Sequence, residues 1–460
     1  MHHAAPFIRA VPVVATLALV AGCSDGPPAD PIDPVAGSFA LGAEDAARIR
    51  AHAISAGLLP MPPAPPIRPG LVQLGQALLF DPVLSGNHDI SCMTCHHPSL
   101  ATADGRALAI GQGATGLGAT RVHPDEEFIP RNAPPMFNLR MADTLFWDGR
   151  LHDGGPKGVV TPAGNQLPAS FSRVFEFGPI SALGLFPVTS REEMRAFDGN
   201  ELAEIDDHSP KIIWRALMRR LGRIPQYVDM FEAAYPGTPF QSMNFGHASN
   251  AMAAFMVSEF AFDDAPWDRF LRGDDNALTA EQLAGADRFT QLACSICHTG
   301  PTLSDGQFHN VALAQIGPGQ GDGPLGDDDF GRGRITMDPA DRYSFRTAPL
   351  RGVELTAPYG HAGQFASIAD FIDHYSDSEA KLRSFAATHG PDLEPLLQGQ
   401  ILSHNLDAVL ATRSPLIATL EFDREVAESL AAFLTALTDD RSRNLMHLHP
   451  GTVPSGLPVD

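Results

Sequence analysis

Residues 91–97 read S-C-M-T-C-H-H, and residues 293–299 read A-C-S-I-C-H-T. The chain has five cysteines, Cys23, Cys92, Cys95, Cys294 and Cys297, so all but Cys23 stand in C-x-x-C-H. A sequence this poor in cysteine does not repeat that cluster by chance. In such a motif each thiol can add to a vinyl group of a haem while the following histidine turns back to bind the iron, so covalent anchor and axial ligand arrive together. His96 and His298 are therefore the expected proximal ligands of two covalently bound haems c, one on Cys92 and Cys95, the other on Cys294 and Cys297. Two other readings use the same thiols. One zinc could take both pairs, although ribbons of that kind space their pairs more closely and need no histidine after each. Disulfides or redox dithiols would leave both histidines unexplained.

Covalent haem attachment belongs to exported proteins, and the N-terminus agrees. "FIRAVPVVATLALVAGC" (7–23) has one arginine, an apolar run and a small-residue exit, the pattern of a signal peptide over residues 1–22. Val20-Ala21-Gly22-Cys23 resembles a bacterial lipobox, which would leave Cys23 as a lipid-bearing N-terminus; an ordinary signal peptide with an incidental Cys23 is the alternative. The expected location is periplasmic, lipid-anchored to a membrane through Cys23. Residues 23–38, "CSDGPPADPIDPVAGS", are too rich in Pro and Asp to build a core and read as a flexible tether. A net charge of −22 excludes nucleic acid as a partner and suits small substrates or a protein with a basic face.

Each cluster has a helical approach. "LVQLGQALLF" (71–80) carries apolar residues at helical spacing, and Thr279 with Gln282 forms a capping box opening a helix that runs towards Cys294. Val426, Leu430, Phe433, Leu434 and Leu437 mark a closing amphipathic helix. "FDDAPWDRFLRGDDN" (262–276) reads as the linker between two units. The expected fold is mainly α, two cytochrome c-like haem domains with long loops: an N-terminal domain over 39–265, a C-terminal domain over 266–445 and a tail over 446–460. Of the glycine-rich stretches, 111–120 and 317–333, neither leads into a helix as a phosphate cradle would. The acidic "GDDDFG" (326–331) reads as a solvated loop, with calcium binding as the alternative.

Several further motifs resemble the bacterial di-haem cytochrome c peroxidase and MauG family: "RNAPPMFN" (131–138), "LFWDGR" (145–150), "LFPVTSREEM" (185–194) and "SFRTAPLRGVELTAPYGHAG" (344–363). They keep the family's order from about Leu71 to Thr438, leaving the first 70 residues and the stretch 154–176 outside. The resemblance implies a peroxidatic haem at Cys92, Cys95 and His96 and an electron-transfer haem at Cys294, Cys297 and His298. Trp147 matches the tryptophan between the haems, Glu193 the distal acid–base glutamate, with Glu192 as its rival, and Pro187 the distal proline of the MauG branch. Asn132, Thr356 and Pro358 match ligands of one Ca²⁺. Seventeen residues after Pro358, where classical members carry a methionine ligand to the second iron, stands Tyr375, as in the MauG branch; Met337 is the alternative ligand. His123, in the region of the loop histidine that closes the first iron in some members, reads as a surface residue.

The implied activity is reduction of H₂O₂ to water with electrons delivered through the second haem by a small protein, a cytochrome c or cupredoxin. Its enzymatic alternative is MauG-like, H₂O₂-dependent oxidation of residues on a partner protein. A non-enzymatic di-haem electron carrier is the third class, and would need both irons closed by strong ligands. A homodimer is compatible with all three.

Overall fold

The computed structural model describes residues 43–460; the expected signal segment, Cys23 and the tether lie outside them. The described residues are mainly helical, with strands of only two or three residues. Two helix pairs organise the molecule. Pro69–Phe80 crosses Phe245–Glu259. The helices approach so closely that a Cβ on Gly75 would sit 2.0 Å from the Ala251 carbonyl oxygen, so only glycine permits the crossing. Ala280–Gln291 crosses Arg424–Thr435 by the same device, a Cβ on Gly285 meeting the Ser429 carbonyl oxygen at 2.1 Å. In each case the first helix of the pair runs directly towards a C-x-x-C-H cluster.

Around the first pair, Pro210–Leu221 and Pro225–Ala234 add Trp214 and Phe231 to a core containing Phe80, Phe255 and Phe260, all fully buried. Each such side chain contributes roughly 1.5–3 kcal/mol relative to exposure. Around the second pair the core is built on Phe289, Leu430, Phe433 and Leu437. The helices expected at 71–80, after Thr279 and near the end are all present. The capping box is closed from both sides: Gln282 N–H donates to Thr279 Oγ1 at 3.2 Å, and Thr279 N–H donates to Gln282 Oε1 at 3.0 Å.

The stretch 262–276 is not a linker. Pro266–Leu271 is helical, with Pro at its first position, where the missing N–H is no loss, and Asp268 accepting from Ala265 N–H. Trp267 and Phe270 are fully buried, and Trp267 packs edge-on against Phe433. Both ends of the described chain also cross the expected boundary. Helix Ala43–Ser55 puts Ala46, Ile49 and Ala53 into the second core. Leu445, Leu448 and Val453, with Leu457 and Val459 alongside, join the first.

The acidic loop differs from expectation too. Asp328 and Asp329 are buried: Asp328 accepts from Asn405 and Tyr343, and Arg131, almost two hundred residues away, donates from Nε and Nη2 to Asp329 at 2.7 and 2.8 Å. The same guanidinium donates from Nη1 to Asp148 at 2.7 Å, so one arginine joins the segments around 131, 148 and 329. Residues 154–176 fold against the first core: Val159–Val160 pairs with Leu151–Asp153, and Phe171 is buried. No helix among the described residues is long and apolar enough to cross a membrane.

Candidate active site

Both clusters present their histidine in the same way. His96 Nδ1 is 2.9 Å from the Thr102 carbonyl oxygen, and His298 Nδ1 is 3.0 Å from the Leu303 carbonyl oxygen. A carbonyl accepts only from N–H, so Nδ1 carries the proton and Nε2 keeps its lone pair for a metal. Burial lowers the pKa of both rings, which keeps them neutral, as iron ligation requires. The four described cysteines are free thiols. Burial pushes the thiols of Cys92, Cys95 and Cys294 up to about 12 and that of Cys297 to about 11. The zinc reading fails on geometry: among the described residues no group of metal-ligating side chains joins the two pairs.

The second cluster opens onto a cavity of about 320 Å³, within the roughly 300–1,000 Å³ range of cofactor pockets. Cys294, Cys297 and His298 line it together with Tyr375, Trp147 and Arg346. A thiol pair, a histidine with free Nε2 and an adjoining apolar void are what a covalently held haem needs, and they fit it.

Tyr375 follows helix Ile368–His374, which Ser367 caps through its Oγ. The helix end is fixed by His374, whose Nε2 is 2.8 Å from the Val311 carbonyl oxygen. The phenol lies close enough to Cys294 and Cys297 to be influenced by both, and burial raises its pKa above the ordinary tyrosine range. Met337, at 81% exposure, does not face the cavity. Trp147 donates from Nε1 to the Asn132 carbonyl oxygen at 3.0 Å, which fixes the indole at the cavity wall. Asn132, Thr356 and Pro358, the three expected calcium ligands, line that same cavity. The Asn132 carboxamide donates from Nδ2 to the Arg106 carbonyl oxygen at 2.7 Å, leaving its oxygen as the group available to a cation.

At the first cluster the neighbouring carboxyl belongs to Glu193. Pro187–Thr189 forms a 3-10 turn, and Arg191–Arg195 a single wide turn that Ser190 caps. This wide turn separates the two adjacent glutamates. Glu192 is exposed, 3.2 Å from Ser190 Oγ, whereas Glu193 turns inward to where its charge is felt by Cys92 and Cys95. Burial raises the Glu193 pKa, with Arg150 opposing the shift. Arg150 is held over the Phe146 ring at 3.8 Å and donates to Asp148 at 2.8 Å. Its position links the acid of the first cluster to the segment carrying Trp147.

His123 is buried, at 7% exposure, in contrast to its expected surface position. It lines a cleft of about 190 Å³ with Gln112, Glu127 and Glu192, and its Nδ1 accepts from Asp125 N–H at 3.1 Å. Sequence reading passed over Arg346 and His361, each inside a quoted motif. His361 stacks on Phe345 with ring centroids 3.7 Å apart, and its carbonyl accepts from Asn132 N–H at 2.9 Å.

Two C-x-x-C-H sites on one helical frame, a carboxyl facing one and a phenol the other, define a redox protein with unlike centres. Residues 69–276 match the model of the di-haem cytochrome c peroxidase family. Cytochrome c551 peroxidase of Pseudomonas aeruginosa is 33% identical over 302 residues, covering 65% of this chain and 70% of that one. The methylamine utilization protein MauG of Methylorubrum extorquens is 29% identical over 335 residues, covering 72% and 76%. Among solved structures, a MauG-like protein associated with microbial copper homeostasis superposes with a TM-score of 0.55 at 25% identity, covering 83% of this chain and 94% of that one. The di-haem peroxidase BthA from Burkholderia thailandensis shares the fold, with a TM-score of 0.53 at 19% identity over 84% and 96%. The chain belongs to the di-haem cytochrome c peroxidase family. It is an oxidoreductase acting on peroxide, and the family implies two c-type haems.

Proposed function

We propose that the chain reduces H₂O₂ to water at the first cluster and receives the two electrons through the second from a small redox protein. Haem bound at the clusters supplies the iron centres for peroxide binding and electron storage. The residues of the chain supply the rest. His96 and His298 would each hold an iron through Nε2, the ring oriented by the Thr102 or Leu303 carbonyl on Nδ1. Glu193 moves the proton: its carboxylate takes it from one peroxide oxygen and returns it to the other, so that the departing oxygen leaves as water. Two further protons and two electrons complete the second water. Pro187 shapes the turn that aims Glu193, and Trp147 carries electrons between the centres. The observation that carries this reading is the inward, half-buried Glu193, whose charge is felt at Cys92 and Cys95 and whose pKa is raised, while Glu192 faces solvent.

In this reading one Ca²⁺ bound by Asn132, Thr356 and Pro358 steadies the segments around the second cavity. The clusters divide into a peroxidatic N-terminal and an electron-transfer C-terminal unit. The protein works in the periplasm, tethered by a lipid on Cys23, and Cys23→Ala would release it from membranes. Pairing of two chains belongs to the same proposal and is read by sedimentation of the loaded protein.

Tyr375, lining the second cavity, favours a second reading, MauG-like oxidation of a partner protein, because a tyrosine that loses its proton on binding iron would stabilise oxidised iron where a thioether favours the reduced form. The test is peroxide consumption with a reduced small cytochrome or cupredoxin. Oxidation of two donor equivalents per peroxide supports the peroxidase. Peroxide reactivity that no such donor sustains would overturn it in favour of the second reading.

A further inference from the structure

Arg346 stands in a pair of short strands, Phe308 opposite it, and is 9% exposed. Its backbone N–H donates to the Trp147 carbonyl oxygen at 2.8 Å, and its Nε donates to the Phe146 carbonyl oxygen at 3.2 Å. Its charge is unmatched. Of the other buried arginines, Arg106, Arg131, Arg195 and Arg351 each have a carboxylate within ion-pair distance, and Arg121 spends its donors on the carbonyl oxygens of Ile110, Gly111 and Gly116. Arg346 has none among the described residues, and burial alone acts on it, lowering its pKa to about 10. Its side chain lines the 320 Å³ cavity shared by Cys294, Cys297, His298 and Trp147.

An uncompensated charge removed from water costs several kcal/mol, and folded proteins avoid it by supplying a counter-ion. The apolar wall of this cavity supplies no acid. What enters the cavity therefore has to bring the negative charge, at a place where a planar guanidinium with two free terminal nitrogens can engage it side-on. A haem carries two carboxylates at one edge. We propose that Arg346 binds a propionate of the second haem and, through its two bonds to the 146–147 backbone, ties that haem edge to Trp147. Arg346 is then a positioning residue that also sets the charge at the second centre. The proposal rests on the reading that this cavity holds a haem.

The pairing has an electrostatic consequence. A guanidinium beside the propionate cancels a negative charge close to the second iron and so favours its reduced form. Without it, the bare carboxylate favours the oxidised form. The experiment is a redox titration of both haems in the wild type, Arg346→Gln and Arg346→Lys, after intact-mass measurement has counted the haems. The expected result is a lower potential at the second haem in Arg346→Gln, substantial recovery in Arg346→Lys, and no change at the first. A purely structural role would not be rescued by charge. Two attached haems with an unchanged second potential in Arg346→Gln overturn the proposal. Should Arg346→Gln not fold, resonance Raman of the wild type and Arg346→Lys decides: exchanging a planar fork for a point charge shifts the propionate bending mode of one haem, and identical spectra overturn the assignment. A wild-type mass without haem on Cys294 and Cys297 is a different failure, that of the haem reading itself.

Discussion

The two C-x-x-C-H sites are alike on the histidine side and unlike on the other. Each is approached by a helix that crosses its partner at a glycine, Gly75 or Gly285, and each ties its histidine Nδ1 to a backbone carbonyl within 3.0 Å. Beyond that the chemistry diverges. The first site faces Glu193, the proposed proton carrier; the second faces Tyr375, a candidate ligand. Repeating the anchor while changing the opposite group lets one chain hold the same cofactor in two electronic roles, because the axial and distal environment sets what the iron does.

The largest expected effect comes from removing one anchor at a time. Cys92→Ser with Cys95→Ser should leave one haem by intact mass and abolish peroxide turnover. The corresponding change at Cys294 and Cys297 should also leave one haem but retain peroxide binding by difference spectroscopy. Equal loss of peroxide binding in both would erase the distinction between the sites.

Next is Glu193→Gln, which should slow the peroxide reaction by about 10²- to 10⁴-fold with both haems in place. Glu192→Gln, altering the exposed neighbour, should leave the rate unchanged. The pH profile follows from the raised Glu193 pKa. Proton abstraction needs the carboxylate, and a raised pKa means that this form is lost at a higher pH than for an ordinary glutamate. Activity should therefore fall on acidification along a limb displaced upward from the usual carboxylate range, and that limb should vanish in Glu193→Gln.

Stability should be more sensitive at Arg131 than at any single surface pair. Arg131→Met strands Asp329 in the interior and leaves Asp148 with Arg150 alone, costing roughly 3–5 kcal/mol in denaturant unfolding. The interaction also has a pH signature. Asp148 is held down to about 2, with Arg131 and Arg150 outweighing its burial. Its folded pKa lies below its unfolded value, so the stabilisation is complete above about 4 and disappears as pH falls towards 2. Arg131→Met should flatten that part of the stability curve.

The smallest effect expected is that of calcium. Chelation should shift the spectrum of the second haem more than that of the first, since Asn132, Thr356 and Pro358 line the second cavity. Asn132→Ala should make the protein indifferent to chelator.

What was legible in the sequence was local. A C-x-x-C-H cluster occupies five positions, and the Thr279–Gln282 box spans four, so both are visible without the fold. The inward turn of Glu193 was legible only through its resemblance to a motif, because two adjacent glutamates look alike until the wide turn separates them. Contacts between distant segments were not legible. The burial of Asp329 depends on Arg131, that of Trp267 on Phe433, and helix Ala43–Ser55 belongs to a core assembled from residues beyond 266. Proline and charge made Pro266–Leu271 look like a linker, although proline at the first position starts a helix as readily as it ends one. Arg346 carried no signal beyond its motif, since a missing counter-ion can be seen only once everything around it is placed.

The proposal to be tested is that a haem held at the first cluster would be open to peroxide beside Glu193, with Tyr375 as the ligand of a haem held at the second, whichever of the two proposed activities it serves. Electron paramagnetic resonance of the resting, fully oxidised protein tests it most directly, together with the spectrum of Tyr375→Met. The account predicts one high-spin ferric signal from the first haem and one low-spin signal from the second, with only the low-spin signal altered by Tyr375→Met. Two low-spin signals that the substitution leaves unchanged would contradict it.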